Sequence, residues 1–190
     1  NFRRQRKYFN TKNNDSSLIM ESTLTKIADA EKVYQKIKRI AFEIAEDNYD
    51  ETEIVLAGIC KATEGYVFAE LLYKELSKIS KAHILLTHIE LDKNDPGNSV
   101  VELNLTEEEI DNKIIIVVDD VANTGRTILY AIKPLLSYSP KKIRNAVLVE
   151  RKHKLFPVSP DYVGLSLSTT IHEHIKVILS EPGNEGIYLM

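Results

Sequence analysis

Residues 113–127 read Lys113-Ile114-Ile115-Ile116-Val117-Val118-Asp119-Asp120-Val121-Ala122-Asn123-Thr124-Gly125-Arg126-Thr127, and this stretch decides the fold. Five consecutive apolar, β-branched residues are what a central parallel strand needs when both of its faces are covered. Ligands of open α/β sheets gather just beyond the carboxyl ends of such strands, so Asp119 and Asp120 stand where a ligand would stand. Asn123 to Thr127 then offers hydroxyls, a permissive glycine and a guanidinium. A helical pattern follows (Ile128, Leu129, Ile132, Leu135, Leu136), whose first turn would present unpaired amides to an anion. One phosphate fits this loop, but the adjacent carboxylates would repel it. They call for a neighbouring diol, a magnesium ion, or both, and a phosphorylated sugar satisfies every group.

Working outward, strand-like runs are expected at 54–59, 83–91, 143–150 and 162–167, with helical segments at 65–79 and 127–136 between them. Strands alternating with helices at this interval mean crossover connections and a mostly parallel sheet. Upstream, Ile27, Ala30, Val33, Ile37, Ile40, Ala41 and Ile44 recur at spacings of three and four, which predicts one amphipathic helix over 22–48 capped by Ser22 or Thr23. Gly58 to Gly65 is a second strand end running into a helix, where glycine lets backbone amides approach an anion. The polar stretch 92–98 precedes a short strand-like piece at 100–103, and fits either a mobile lid or a plain surface hairpin.

Composition bounds the rest. A chain of 190 residues, 43% apolar with seven glycines and six prolines, is long enough for one substantial core and too ordinary for a fibrous or disordered protein. A single fold over 21–190 is expected. One cysteine cannot form an internal disulfide, and Cys60 reads as a buried small apolar residue. No apolar run approaches the roughly 20 residues that span a bilayer and no signal peptide is visible, so a cytoplasmic protein without a membrane partner is expected. Residues 1–20 carry Arg3, Arg4, Arg6, Lys7 and Lys12 against Asp15. They are expected to form a basic, disordered tail without function, with Met20 as the native start; a nucleic-acid-binding arm is the other reading. His172 and His174 lack a Cys or acid cluster to complete a metal site and are expected at the surface, while His83 and His88 are expected to be structural.

The run from Val117 to Thr127 resembles the phosphoribosyl-pyrophosphate signature of the type I phosphoribosyltransferases. Three further stretches carry the resemblance over most of the chain beyond residue 20. Ile37-Lys38-Arg39-Ile40-Ala41-Phe42-Glu43-Ile44 is similar to a first helix, and residues 54–69 to a first strand, pyrophosphate loop and second helix. Arg151-Lys152-His153 with Asp161-Tyr162-Val163-Gly164 is similar to a base-side hood, although the latter segment fits an ordinary edge strand equally well. Within the family the likeness is to the pyrimidine-operon attenuation regulators that also have uracil phosphoribosyltransferase activity. It implies an α/β fold with a mostly parallel central sheet flanked by helices and a small base-binding hood. The implied reaction moves a 5-phosphoribosyl group from phosphoribosyl pyrophosphate to a nucleobase, giving a nucleoside monophosphate and pyrophosphate, with Mg2+ near Asp119 and Asp120 and a homodimer as the assembly.

Carried over by matching positions, Asp119 and Asp120 hold the ribose, and Ala122, Asn123, Thr124, Gly125, Arg126 and Thr127 wrap the 5-phosphate. Lys61, Ala62, Thr63, Glu64 and Gly65 form the pyrophosphate loop, and Arg151, Tyr162 and Val163 take the base. Two positions depart from the pattern. An arginine commonly precedes the glycine of the pyrophosphate loop, and here that place is Glu64, a carboxylate expected to face pyrophosphate unless magnesium intervenes. Asn123 replaces the aspartate of the 6-oxopurine enzymes and cannot act as a general base near neutral pH, which turns the expectation away from hypoxanthine or guanine. The aromatic residue often found at this place in the pyrimidine group is absent too, so Asn123 does not itself select uracil, and a pyrimidine such as uracil is favoured only slightly. Two other readings remain: an RNA-binding attenuator, which the acidic balance of the folded part disfavours, and a non-catalytic nucleotide sensor.

Overall fold

The computed structural model describes residues 24–168 and 173–190; the basic stretch 1–20 and His172 lie outside the described residues. The strand predicted at 114–118 is β5 in chain order and occupies the centre of the molecule. Before it come β1 (Thr25–Asp29), α1 (Ala30–Asp47), β2 (Glu53–Ile59), α2 (Glu64–Ile79), β3 (His83–Glu90), β4 (Glu102–Leu103) and the single turn α3 (Glu107–Ile110). After β5 (Ile114–Ala122) come α4 (Arg126–Ile132), a 3-10 turn over Lys133–Ser137, then β6 (Lys142–Arg151), β7 (Tyr162–Leu167), β8 (Ile175–Ile178) and β9 (Gly186–Leu189).

The main sheet has the order β4-β3-β2-β5-β6-β7, parallel throughout except for β4, so the architecture is the expected α/β fold with a mostly parallel sheet. The uninterrupted apolar run has a direct cause. Ile114, Ile116 and Val118 pack into the core under α1 and α2, while Ile115 and Val117 face a second core with Ile110, Ile128 and Leu135. With both faces buried, a strand has no position for a polar side chain.

β5 extends four residues past its expected end, because Asp119, Val121 and Ala122 still pair with Val147, Val149 and Glu150 of β6. The acid pair therefore rides on the strand itself. Pro134, which has no N–H for a helical bond, divides the helix expected at 127–136 into α4 and the 3-10 turn.

The helix predicted over 22–48 is corrected at its start. Thr25–Asp29 is a strand paired antiparallel with β9, and Asp29, rather than Ser22 or Thr23, caps α1 by accepting from the Lys32 amide at 3.0 Å. Ile27 and Ala30 fall in helical register with the stripe beyond them, which hides the boundary from a periodicity argument. The three-stranded sheet β1-β9-β8 joins the first and last described strands. Val177, Leu179 and Ile187 bury it against the α1 and α2 side of the core. Among the described residues no helix is long and apolar enough to cross a membrane.

Candidate active site

Asp119 is 2% exposed at the carboxyl end of the central strand. Burial, and then the neighbouring Asp120 carboxylate, push its pKa above the ordinary carboxylate range, against the pull of Lys93. The Lys93 ammonium lies 2.7 Å from Asp119 Oδ1 and 3.4 Å from Asp120 Oδ1. Burial opposes the charge on Lys93, but the attraction of Asp119 and Asp120 outweighs it and carries the ammonium above its ordinary value. Two carboxylates thus converge on one positive centre. A Cβ added to Gly65 at the head of α2 would come within 2.6 Å of Asp119 Oδ1, so the observed position of the acid pair requires a glycine there.

The loop after Asp120 is built to present donors. Gly125 sits at φ 85, in the left-handed region that glycine adopts without a Cβ penalty, and the carbonyl of Val158 lies 3.1 Å from where a Cβ would be. A strap over residues 154–158 takes up the loop's outward carbonyls. Lys154 Nζ donates to the Ala122 and Asn123 carbonyls at 3.2 and 3.4 Å, and the Leu155 and Phe156 amides donate to the Thr124 carbonyl at 3.0 and 3.1 Å. Burial lowers the Lys154 pKa and Glu150, 3.7 Å away, resists that shift. With the carbonyls occupied, the small concavity lined by Asp119, Ala122, Asn123, Thr124, Gly125 and Thr127, of about 40 Å³, suits an anion. Arg126 departs from its expected place in this cradle: its guanidinium lies 3.7 Å from Asp95 and over the Tyr130 ring.

The turn between β2 and α2 is organised differently. Cys60 takes φ 58, and its buried thiol donates to the Leu91 carbonyl at 3.1 Å, with burial raising its pKa. The Lys61 amide donates to Glu90, while the Thr63 hydroxyl folds back onto the Ile59 and Cys60 carbonyls. The Lys61 side chain is exposed. Glu64, expected to face pyrophosphate, turns instead to the small sheet. Its carboxylate accepts from the Leu179 amide at 2.8 Å, the Ser180 amide at 3.2 Å and the Ser180 hydroxyl at 2.5 Å.

Comparison with known proteins agrees with this geometry. The family model described as phosphoribosyl transferase domain matches residues 23–181. The chain belongs to the phosphoribosyltransferase family. Over 159 residues it is 38% identical to a "Bifunctional protein PyrR" of Streptococcus thermophilus, covering 82% of this chain and 90% of that protein. It is 35% identical over the same span to the protein of that name from Streptococcus pneumoniae. A hypoxanthine-guanine phosphoribosyltransferase structure from Bacillus anthracis superposes with a TM-score of 0.69 at 20% identity, covering 87% of this chain and 96% of that one, a likeness of fold.

The base side of this phosphoribosyltransferase corrects two expectations. Tyr162 is 3% exposed, and its hydroxyl donates to Asp47 at the end of α1, so its ring is core and is not available to stack on a base. Val163 lies in β7, the edge strand of the main sheet, with its carbonyl bound by Arg39. The Tyr-Val-Gly segment is therefore sheet, as its alternating pattern allows. Arg151 does reach the site: it is 7% exposed and donates to Asn123 Oδ1 at 3.2 Å. His174 is exposed and His88 packs edge-on to Tyr66.

Sequence reasoning missed Lys93 and Lys154. Lys93 follows β3, which is separated from β5 by β2, so its ammonium crosses two strand spacings, roughly 9.6 Å, to reach Asp119. The sole signal was a lysine among the turn residues just past a strand end. A larger cavity, of about 260 Å³, lies between Glu53, His83, Leu85 and Lys113 at the amino ends of the parallel strands, away from the ligand-binding edge of such sheets.

Proposed function

We propose that this phosphoribosyltransferase joins a nucleobase, preferentially a pyrimidine such as uracil, to the 5-phosphoribosyl group of phosphoribosyl pyrophosphate, releasing pyrophosphate and a nucleoside monophosphate in nucleotide salvage. The observation that carries this reading is the convergence of Asp119 and Asp120 on a single cation directly ahead of the phosphate loop.

The chain's own residues supply positioning and charge. Thr124, Gly125 and Thr127 hold the 5-phosphate; Asp119 and Asp120 face the ribose hydroxyls, and their negative charge stabilises the positive charge that develops at the anomeric carbon as pyrophosphate leaves. No side chain acts as a nucleophile. Magnesium fits the acid pair, since two hard carboxylates already share one positive partner and magnesium is bound through one or two carboxylates plus substrate oxygens. When bound, it neutralises the charge of the departing pyrophosphate. Lys61 and the backbone around Gly65 face that group. Asn123 holds no carboxylate for a purine proton and its amide oxygen is bonded to Arg151, which weighs against a 6-oxopurine. A homodimer is the assembly that goes with this reading.

The test is base-dependent release of pyrophosphate with uracil, hypoxanthine, guanine, xanthine and adenine in turn. Uracil is expected to give the highest turnover. Binding of phosphoribosyl pyrophosphate without turnover on any base would instead make the protein a nucleotide sensor. The word bifunctional in the names of its relatives supports a second reading, a regulatory activity on a leader RNA, for which salt-sensitive RNA binding is the measurement.

A further inference from the structure

Glu64 opens α2 immediately before Gly65, the residue whose missing side chain leaves room for Asp119. Both oxygens of its carboxylate are engaged by the segment that leaves β8: Leu179 N and Ser180 N on one, the Ser180 hydroxyl on the other. Sequence separation between these partners is 115 and 116 residues, so this contact fixes distant parts of the chain rather than a local turn. A carboxylate is well placed at a helix start, where the backbone carries partial positive charge, and it can accept several amides at once. A guanidinium in this position has no acceptor and could make none of the three bonds.

We propose that Glu64 is a positioning residue that latches the small sheet β1-β9-β8 to the head of α2 and so sets the base-side surface relative to the acid pair. The proposal rests on the phosphoribosyltransferase reading above and adds to it that the base docks beneath this sheet. Burial of Val177, Ile178, Leu179 and Ile187 holds the sheet to the core in any case, so the latch governs orientation and mobility while the fold survives without it. A position that could have carried a cation for pyrophosphate instead ties the base side to the ribose side.

The experiment compares the full-length parent with Glu64→Ala, Glu64→Gln and Ser180→Ala. Steady-state kinetics with phosphoribosyl pyrophosphate and the preferred base should show the KM for the base rising about tenfold in Glu64→Ala, the scale of losing hydrogen bonds to a charged group. The KM for phosphoribosyl pyrophosphate should stay within about twofold, since no group facing it is lost. Glu64→Gln, which keeps one acceptor, should fall between. Ser180→Ala combined with Glu64→Ala should add less than the sum of the two single effects, as residues acting through one contact do. A rise confined to the KM for phosphoribosyl pyrophosphate would overturn the proposal, because it would mean that the carboxylate works on the pyrophosphate side. Amide hydrogen exchange provides a readout independent of turnover: Leu179 and Ser180 should lose protection in Glu64→Ala while residues 119–127 keep theirs. Unchanged protection at 179 and 180 sinks the latch even if the parent transfers phosphoribosyl groups normally. If the parent turns over no base, the exchange result still decides the latch, and the function reading fails on its own account.

Discussion

Two strand-end loops lie side by side at the carboxyl edge of the sheet, and they are finished to different degrees. After β5, every outward carbonyl from Ala122 to Thr124 is bound by the strap over residues 154–158, and glycine takes the one left-handed position. After β2, a cysteine takes the left-handed position. The Lys61 amide, the Thr63 hydroxyl and the Glu64 carboxylate are all bound within the protein. The first loop has its carbonyls taken up and a concavity left beside it for a ligand, whereas the second has a side-chain carboxylate, a hydroxyl and an amide engaged in holding the fold. An anion site is defined as much by where its carbonyls go as by which residues it contains. The 5-phosphate should accordingly dominate ground-state recognition of the substrate, with pyrophosphate held more weakly.

The largest test of that contrast is Gly65→Ala. Its new methyl would displace the Asp119 carboxylate, and turnover should fall about 100-fold, comparable with losing a main electrostatic stabiliser. Pyrophosphate release assays check it, and a variant of normal activity would mean that Asp119 does not need its observed position. Next comes Gly125→Ala, which meets both an unfavourable φ and the Val158 carbonyl. The KM for phosphoribosyl pyrophosphate should rise about tenfold and stability should drop by about 1–2 kcal/mol. Lys61→Ala should raise the same KM by threefold or less, because its exposed ammonium acts through solvent. If Lys61→Ala proves worse than Gly125→Ala, the ranking of the two loops is reversed.

Lys93→Met sharpens the account of the acid pair. Removing the shared cation should lower stability by about 1–3 kcal/mol without magnesium, and millimolar magnesium chloride should restore most of the loss, as followed by thermal unfolding. The smallest effect concerns pH. The folded-state pKa of Asp119 is raised above its ordinary value of 3.8, so its contribution to stability is present in full below that value. That contribution is lost as pH rises through the raised one. Asp119→Asn cannot ionise, so in magnesium-free buffer it should gain stability relative to the parent between pH 5 and 9. A difference in melting temperature that stays flat across this range would contradict the burial assigned to Asp119.

What was legible in the sequence is what local pattern encodes. The five-residue apolar run, the acids and the glycine loop are contiguous, and a buried strand cannot hide its composition. The strands at 54–59, 143–150 and 162–167 and the helix of α2 follow the same rule. The misread parts depend on pairings between distant segments. Nothing near Thr25 announces that its partner is Leu189, so β1 was absorbed into a helix whose spacing it happened to share. Glu64 read as a liability because its three donors lie more than a hundred residues away. Tyr162 fits a base contact and an ordinary edge strand equally well in the sequence, because a buried edge-strand tyrosine and a base-contacting one have the same neighbours there. Lys93 was invisible because its role depends on strand order.

The pairing of Thr25–Asp29 with Gly186–Leu189 has a consequence for synthesis. A ribosome must deliver everything from β1 through β9 before that small sheet can close, whereas the β2-to-β6 framework with its acid pair and the strap over its phosphate loop needs nothing beyond residue 158. Nascent chains should therefore acquire the sugar-phosphate half early and its cover last. Premature termination just upstream of β9 would leave a species with an unpaired β1 edge, a candidate for quality-control proteolysis.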